Sequence, residues 1–236
     1  MRDRNLDPSN LMKNSFLAKT LLVTCIAALG ASSSLAAFVT FQLNPGNENG
    51  NVGANSRLYN VSGFQITAYG FDNVAGPDPA RELYYKFQAP IGGAGERGLG
   101  LVGTDNNELQ VNPDGTPANY IQLDLRSILE QEFTDGEVMV GSVQPSELFR
   151  IYGSNALGTL GTQLGPDYGN AFDEKFVSIA SFGSFSFISV ASGNVDVLPV
   201  AFRAMPIPEM NALFPIVGLV ALVAATHLVR RRSARL

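Results

Sequence analysis

The chain has 236 residues, 45% of them hydrophobic and 16% charged, with 24 glycines, 13 prolines, no tryptophan and one cysteine. Its net charge of −5 hides a gradient: four basic residues fall in the first 19 positions and four in the last seven, while residues 37 to 205 hold eight basic residues against 18 acidic ones. Such an acidic middle repels phosphate backbones and excludes nucleic acid as a partner, and a lone cysteine excludes a disulfide within the chain.

The first segment reads as a secretory signal. Lys13 and Lys19 precede the apolar stretch Leu21 to Leu29, and Ser34-Leu35-Ala36 follows with small residues at the spacing a signal peptidase reads. The stretch is too short to span a bilayer comfortably. Cleavage after Ala36 would remove residues 1–36 as a signal helix, with Met1 or Met12 as the start. Cys25 raises lipidation as a rival, but it sits inside the apolar run behind Thr24. If it leaves with the signal, no thiol remains in the exported part.

Residues 37–204 form the expected ectodomain. Short β signals recur at Phe38–Leu43, Gly63–Tyr69, Glu82–Phe87, Gly98–Val102, Glu108–Val111, Tyr120–Leu125, Glu137–Val143, Leu148–Tyr152, Phe176–Ala180, Ser184–Ala191 and Val195–Phe202. Turn chemistry separates them, as in residues 44–51 and 111–117. In residues 184–190 the pattern predicts that Phe185 and Phe187 point inward, together with Ile188 or Val190. Only Ser127–Glu132 looks helical. Many short strands without helical crossovers predict an all-β fold, an antiparallel β-sandwich or jelly roll.

Candidate sites are sparse. The chain's one histidine, His227, lies outside this region, so a Ser-His-Asp triad and histidine-ligated metals are excluded from it. Asp105 and Glu108, with Asp72, Asn73 and Asp114 elsewhere, offer oxygens of the kind calcium accepts. The expectation is no required cofactor, with Ca2+ the ion that Asp105 and Glu108 would suit; solvated turn residues are the simpler reading. A glycosidase needs two carboxylates; Asp124, Glu130, Glu132 and Glu147 are the candidates, and their spacing reveals no pair. Tyr59, Tyr69, Tyr84, Tyr85, Tyr152 and Tyr168 could stack on sugars, but packing in the sheets is the reading favoured without tryptophan. The sequon Asn60-Val61-Ser62 is read as accidental.

Residues 205–236 change character. Ala212 to Val229 is an 18-residue stretch without formal charge, about 27 Å as a helix and close to the hydrocarbon thickness of a bilayer. It is the expected transmembrane helix, 212–229. Pro215 falls in its first turn, where a missing N–H costs little. Arg230, Arg231 and Arg232, in the tail 230–236, anchor its far end in the cytoplasm by the positive-inside rule. Pro208 and Glu209 stand just before the span.

The order Pro-Glu, short apolar helix, arginine cluster resembles the PEP-CTERM sorting signal of Gram-negative, biofilm-forming bacteria. Met210 stands where that family carries a second proline. The resemblance implies that a membrane-embedded exosortase recognises Pro208 and Glu209, cuts near them, and passes the domain to the cell surface or extracellular matrix. Gly98–Gly103, Asn107–Leu109, Tyr120–Leu125 and Phe149–Ser154 look similar to ectodomains that carry such tails. The expected protein is therefore a non-enzymatic, exported surface or matrix protein. Its expected partners are signal peptidase, exosortase, the inner membrane and extracellular polysaccharide. The alternative is a membrane-tethered module that binds or hydrolyses glycans.

Overall fold

The computed structural model describes residues 37–74, 77–88, 96–207, 219–220 and 223–224. The chain divides into a compact unit, Ala36–Ile207, and a second unit made of the two terminal segments. Of the second unit only Leu219, Val220, Val223 and Ala224 are described, and they are helical. Ala36, Pro208, Glu209 and Arg230 to Arg232 lie outside the described residues, as does most of the expected span. Among the described residues no helix is long and apolar enough to cross a membrane.

The unit Ala36–Ile207 is all-β. Its strands are β1 (Val39–Gln42), β2 (Gly50–Asn51), β3 (Ser56–Val61), β4 (Phe64–Asp72), β5 (Ala80–Arg81), β6 (Leu83–Gln88), β7 (Glu96–Leu101), β8 (Asn119–Asp124), β9 (Phe133–Gly141), β10 (Leu148–Ser154), β11 (Thr162–Gln163), β12 (Tyr168–Gly169), β13 (Phe176–Ser178), β14 (Phe187–Ser192) and β15 (Leu198–Pro206). One helical turn, α1 (Arg126–Leu129), overlaps the predicted Ser127–Glu132 but ends at Leu129, with residues 130–132 in turn conformation. All strand pairs are antiparallel, in a four-stranded sheet ordered β1-β15-β9-β13, an eight-stranded sheet with the path β11-β10-β14-β8-β4-β3, and a three-stranded sheet β2-β6-β7.

One hydrophobic core takes side chains from all three sheets. Phe41, Val138 and Phe202 come from the four-stranded sheet, Ile66, Ile121, Leu123, Ile151 and Val190 from the eight-stranded one, and Leu83 and Leu99 from the small one. Period-2 alternation places each of these strands' other residues on the opposite face. On the eight-stranded sheet that outer face carries Phe71, Tyr120, Tyr152 and Ala191 in a second, smaller cluster, packed against Tyr69 and Leu160. Here the sequence expectation is corrected. Ile188 and Val190 point into the main core, while Phe187 is on the outer face, with the Arg126 guanidinium 5.2 Å from its ring centre. Phe185, expected to point inward, does pack against the main core from just before the strand, whereas Phe187 opens β14 one residue out of step with Ile188 and is buried on the opposite face.

Glycines set the closeness of β7 to its neighbours. A Cβ on Gly100 would lie 1.8 Å from the Asn107 carbonyl oxygen, and one on Gly98 would lie 2.7 Å from that of Pro199. Pro199 itself lies in a central strand, where it cannot donate to the ladder. A register shift between Pro199 and Ala201 absorbs the defect. The stretch Glu108–Val111, expected as a strand, makes only two isolated bridges, Leu109 to Val197 and Val111 to Pro117.

Candidate functional site

Two places bring chemically capable side chains together. The first is an open cleft of about 290 Å³ on the outer face of the eight-stranded sheet. Register builds its floor: Leu58 on β3 lies opposite Thr67 on β4, which lies opposite Asp124 on β8. The start of α1 forms a wall from Arg126, Ser127 and Glu130, and Gln65 closes one side. Arg126 grips Asp124 through Nε at 3.0 Å and through a terminal nitrogen at 2.7 Å. The side chains of Gln65, Thr67, Ser127 and Glu130 make no hydrogen bond among the described residues, and Leu58 is 56% exposed. The cleft therefore presents both donors and acceptors together with one apolar side chain.

Of the four carboxylates considered for hydrolysis, the fold brings Asp124 and Glu130 to this cleft. It does not bring Glu132 or Glu147 there. Glu132 ends the segment after α1 with a left-handed φ of 58° and is exposed. Glu147 accepts the Gln144 N–H at 2.6 Å, and burial raises its pKa.

The second place is a charged group around Lys86. Residues 105–107 form a 3-10 turn in which Asn106 and Asn107 have φ of 52° and 57°, and Glu108 is the residue that leaves it. That reversal turns Glu108 inward, to 2% exposure. Its Oε1 receives the Lys86 Nζ directly, and its Oε2 accepts the Ser142 hydroxyl at 3.2 Å. Lys86 Nζ also lies 2.7 Å from Glu96 Oε2. Lys86 and Glu96 are diagonal neighbours in the β6–β7 hairpin, where Gln88 opposes Glu96 and Lys86 opposes Gly98.

Burial pushes the Glu108 carboxyl up to about 7, against the opposing pull of Lys86. Burial alone would depress Lys86, but its hydrogen bonds to Glu108 and Glu96 outweigh that and raise it. Asp196 lies close by, accepting from Gln110 Nε2 at 3.3 Å and Asn106 Nδ2 at 3.4 Å; burial, reinforced by Asp105, raises its pKa.

The oxygens read as calcium ligands are distributed differently from the expectation. Asp105 is exposed, whereas Glu108 is buried against Lys86 rather than solvated in a turn. Asp72 pairs with Arg81 Nε at 2.8 Å, Asn73 donates to the Pro117 carbonyl, and Asp114 accepts from Thr116. Among the described residues no three His, Cys, Asp or Glu side chains group to hold a metal ion. Of the six tyrosines considered for sugar stacking, Tyr59, Tyr85, Tyr152 and Tyr168 are buried in the sheets, whereas Tyr69 and Tyr84 remain partly exposed.

Sequence reasoning missed the Lys86 group because its members lie on separate elements. Glu108 follows Lys86 by 22 positions, and Ser142 follows Glu108 by 34. The two asparagines before Glu108 are the one local signal of a left-handed turn that could reverse the chain there. No family model matches this chain, and neither a curated protein nor a solved structure matches it significantly.

Proposed function

We propose that this chain is a non-enzymatic, exported surface or extracellular-matrix protein. A signal peptidase removes residues 1–36, and an exosortase recognises Pro208 and Glu209 and processes the tail. Helix 212–229, oriented by Arg230, Arg231 and Arg232, holds the protein transiently in the inner membrane. The ectodomain is an antiparallel β-sandwich of the jelly-roll kind, working among extracellular polysaccharide in a biofilm matrix. A calcium ion at Asp105 and Glu108 is not part of this reading.

One observation supports it above the others. The compact unit runs from Ala36 to Ile207, so the two processing signals flank it. The last strand ends at Pro206, and the Ile207 N–H donates to the Glu132 carbonyl at 3.1 Å. A cut near Pro208 would leave every strand and its ladder intact. The test is cell fractionation of wild type and Glu209→Ala. The reading expects the variant to accumulate in the inner membrane and wild type to reach the surface; equal distribution of the two would count against it.

A second reading, glycan binding, is favoured by the open cleft, whose Gln65, Thr67, Ser127 and Glu130 keep their hydrogen-bonding capacity unspent. Neutral sugars suit it because Arg126 is already neutralised by Asp124 and Glu130 adds negative charge. Titration with cellohexaose and maltohexaose tests it. Binding lost at least tenfold in Thr67→Ala with Asp124→Asn supports the reading, and no binding by wild type removes it.

A further inference from the structure

Lys86, Glu96, Glu108 and Ser142 form a charged group that neither sorting nor the surface cleft uses. Four separate pieces of the fold supply it: β6, the first residue of β7, the exit of the 3-10 turn and the residue after β9. Burying such ions is costly. Taking an ammonium and a carboxylate out of water costs several kcal/mol each, on the order of what their attraction returns. A fold that merely needed packing would meet the same space with apolar side chains.

The arrangement has the parts that amide formation requires. The amine nitrogen, Lys86 Nζ, touches Glu108 Oε1. A proton carrier, Glu96 Oε2, lies 2.7 Å from the same nitrogen. An O–H donor, Ser142 Oγ, lies 3.2 Å from Glu108 Oε2, where negative charge develops when the carboxyl carbon becomes tetrahedral. Ser142 is held there with a left-handed φ of 60°, a conformation that costs energy in a non-glycine residue and clusters at functional sites. Water is largely excluded, with Lys86 8% and Glu108 2% exposed.

We propose that Lys86 and Glu108 become joined by an intramolecular amide bond that the folded domain forms by itself. Glu96 relays one proton from the Lys86 ammonium to Glu108, which leaves an amine facing a carboxylic acid. Nζ then bonds to Cδ of Glu108, and the Ser142 hydroxyl steadies the oxygen that takes up charge. Glu96 relays a second nitrogen proton to the hydroxyl on Cδ, the C–O bond breaks, and water departs. One ammonium and one carboxylate give one amide and one water, with no electrons transferred and no co-reactant consumed. Burial moves Glu108 toward its neutral form, while the hydrogen bonds to Glu108 and Glu96 hold the Lys86 proton more tightly, so the relay through Glu96 is the step that must release it. The product replaces two buried charges by a neutral group and staples β6 to the turn after β7 in a region without cysteine.

The bond is read directly by peptide mapping of the full chain isolated from exporting cells. Trypsin cuts after a free Lys86 and not after an acylated one. The proposal expects residues 82–97 uncut and joined to residues 98–126, with the pair lighter than its parts by one water. Lys86→Arg, which keeps the charge and removes the nucleophile, gives residues 98–126 unlinked. Glu96→Gln also gives them unlinked while the thermal transition persists. Cleavage after Lys86 in wild type, with residues 98–126 recovered free, overturns the proposal. A link that still forms in Glu96→Gln overturns the relay assigned to Glu96.

Discussion

Gln122 holds Gly158 to the outer face of the eight-stranded sheet. The Gly158 N–H donates to Gln122 Oε1 at 2.9 Å, and Gln122 Nε2 donates to the neighbouring Thr159 carbonyl at 2.9 Å. The Gln122 side chain is wholly buried and also reaches Ser189 Oγ at 3.3 Å. Through this amide, residues 155–161 close over the cluster of Phe71, Tyr120 and Tyr152, with Leu160 packed against it.

Gln122→Leu therefore leaves a backbone donor and acceptor unpaired under the loop. The expected loss is about 2 kcal/mol, within the range for orphaned buried polar groups. The loop is also expected to open locally before the sheets do. Amide hydrogen exchange checks both: protection should fall at 155–161 in the variant and persist in β8 and β14. Uniform loss of protection across the sheet would contradict the local role.

Arg203 links three strands through one guanidinium. It pairs with Glu137 at 2.5 Å and lies 4.2 Å from the ring centre of Phe38 and 3.9 Å from that of Phe176. The ion pair is partly exposed and contributes at most about 1 kcal/mol, and each ring adds about 0.5–1 kcal/mol. Arg203→Ala should cost roughly 2 kcal/mol, or a fall of several degrees in melting temperature. Arg203→Lys keeps the charge but loses the planar stacking, so it should recover less than half of that in calorimetry.

These two residues mark how far the sequence could be read. The core strands β4, β8 and β10 were legible because aromatic and aliphatic residues are concentrated in them, between turn-forming segments. The edge strand β3, Ser-Arg-Leu-Tyr-Asn-Val, was not; its ladder on β4 supplies the order that its own residues do not announce. Tyrosine packing holds for Tyr59, Tyr85, Tyr152 and Tyr168 but not fully for Tyr69 and Tyr84, which stay partly exposed. Asp124 and Glu130 were named as carboxylates, but their meeting in one cleft depends on β8 leading directly into α1. Glu108 was named for its oxygens, and its burial was invisible, because only the turn at Asn106 and Asn107 and the distant Lys86 determine it.

Two carboxylates predict opposite responses to pH. Burial raises Asp196 from 3.8, so the folded state holds its proton more tightly than the unfolded chain does. Its stabilising contribution is present below 3.8 and is lost as pH rises through the folded value. Arg150 lowers Asp167, so that contribution is present above 3.8 and is lost as pH falls through the folded value. Asp196→Asn should raise the melting temperature at neutral pH, with the gain shrinking toward acid. Arg150→Met should lower it at neutral pH, with the loss shrinking toward acid. Melting curves across the acidic range separate the two signs.

Gly100→Ala tests the close approach of the turn to β7. A Cβ 1.8 Å from the Asn107 carbonyl oxygen cannot be accommodated without moving the 3-10 turn. Overpacking of this kind costs about 1–3 kcal/mol or more. The variant should melt earlier and, because Glu108 follows the turn, should yield less of the linked peptide. Gly103→Ala, at a glycine with φ of 75° and open space around it, serves as the comparison: it strains the backbone without pushing the turn.

Mass spectrometry of the form released to the cell surface bears most directly on the proposed identity as an exported, tail-sorted protein. The expected mature chain begins after Ala36 and ends near Pro208-Glu209, and in Glu209→Ala the tail stays attached. An intact chain of 236 residues, dissolved in the cytosol with both termini present, would contradict the proposal.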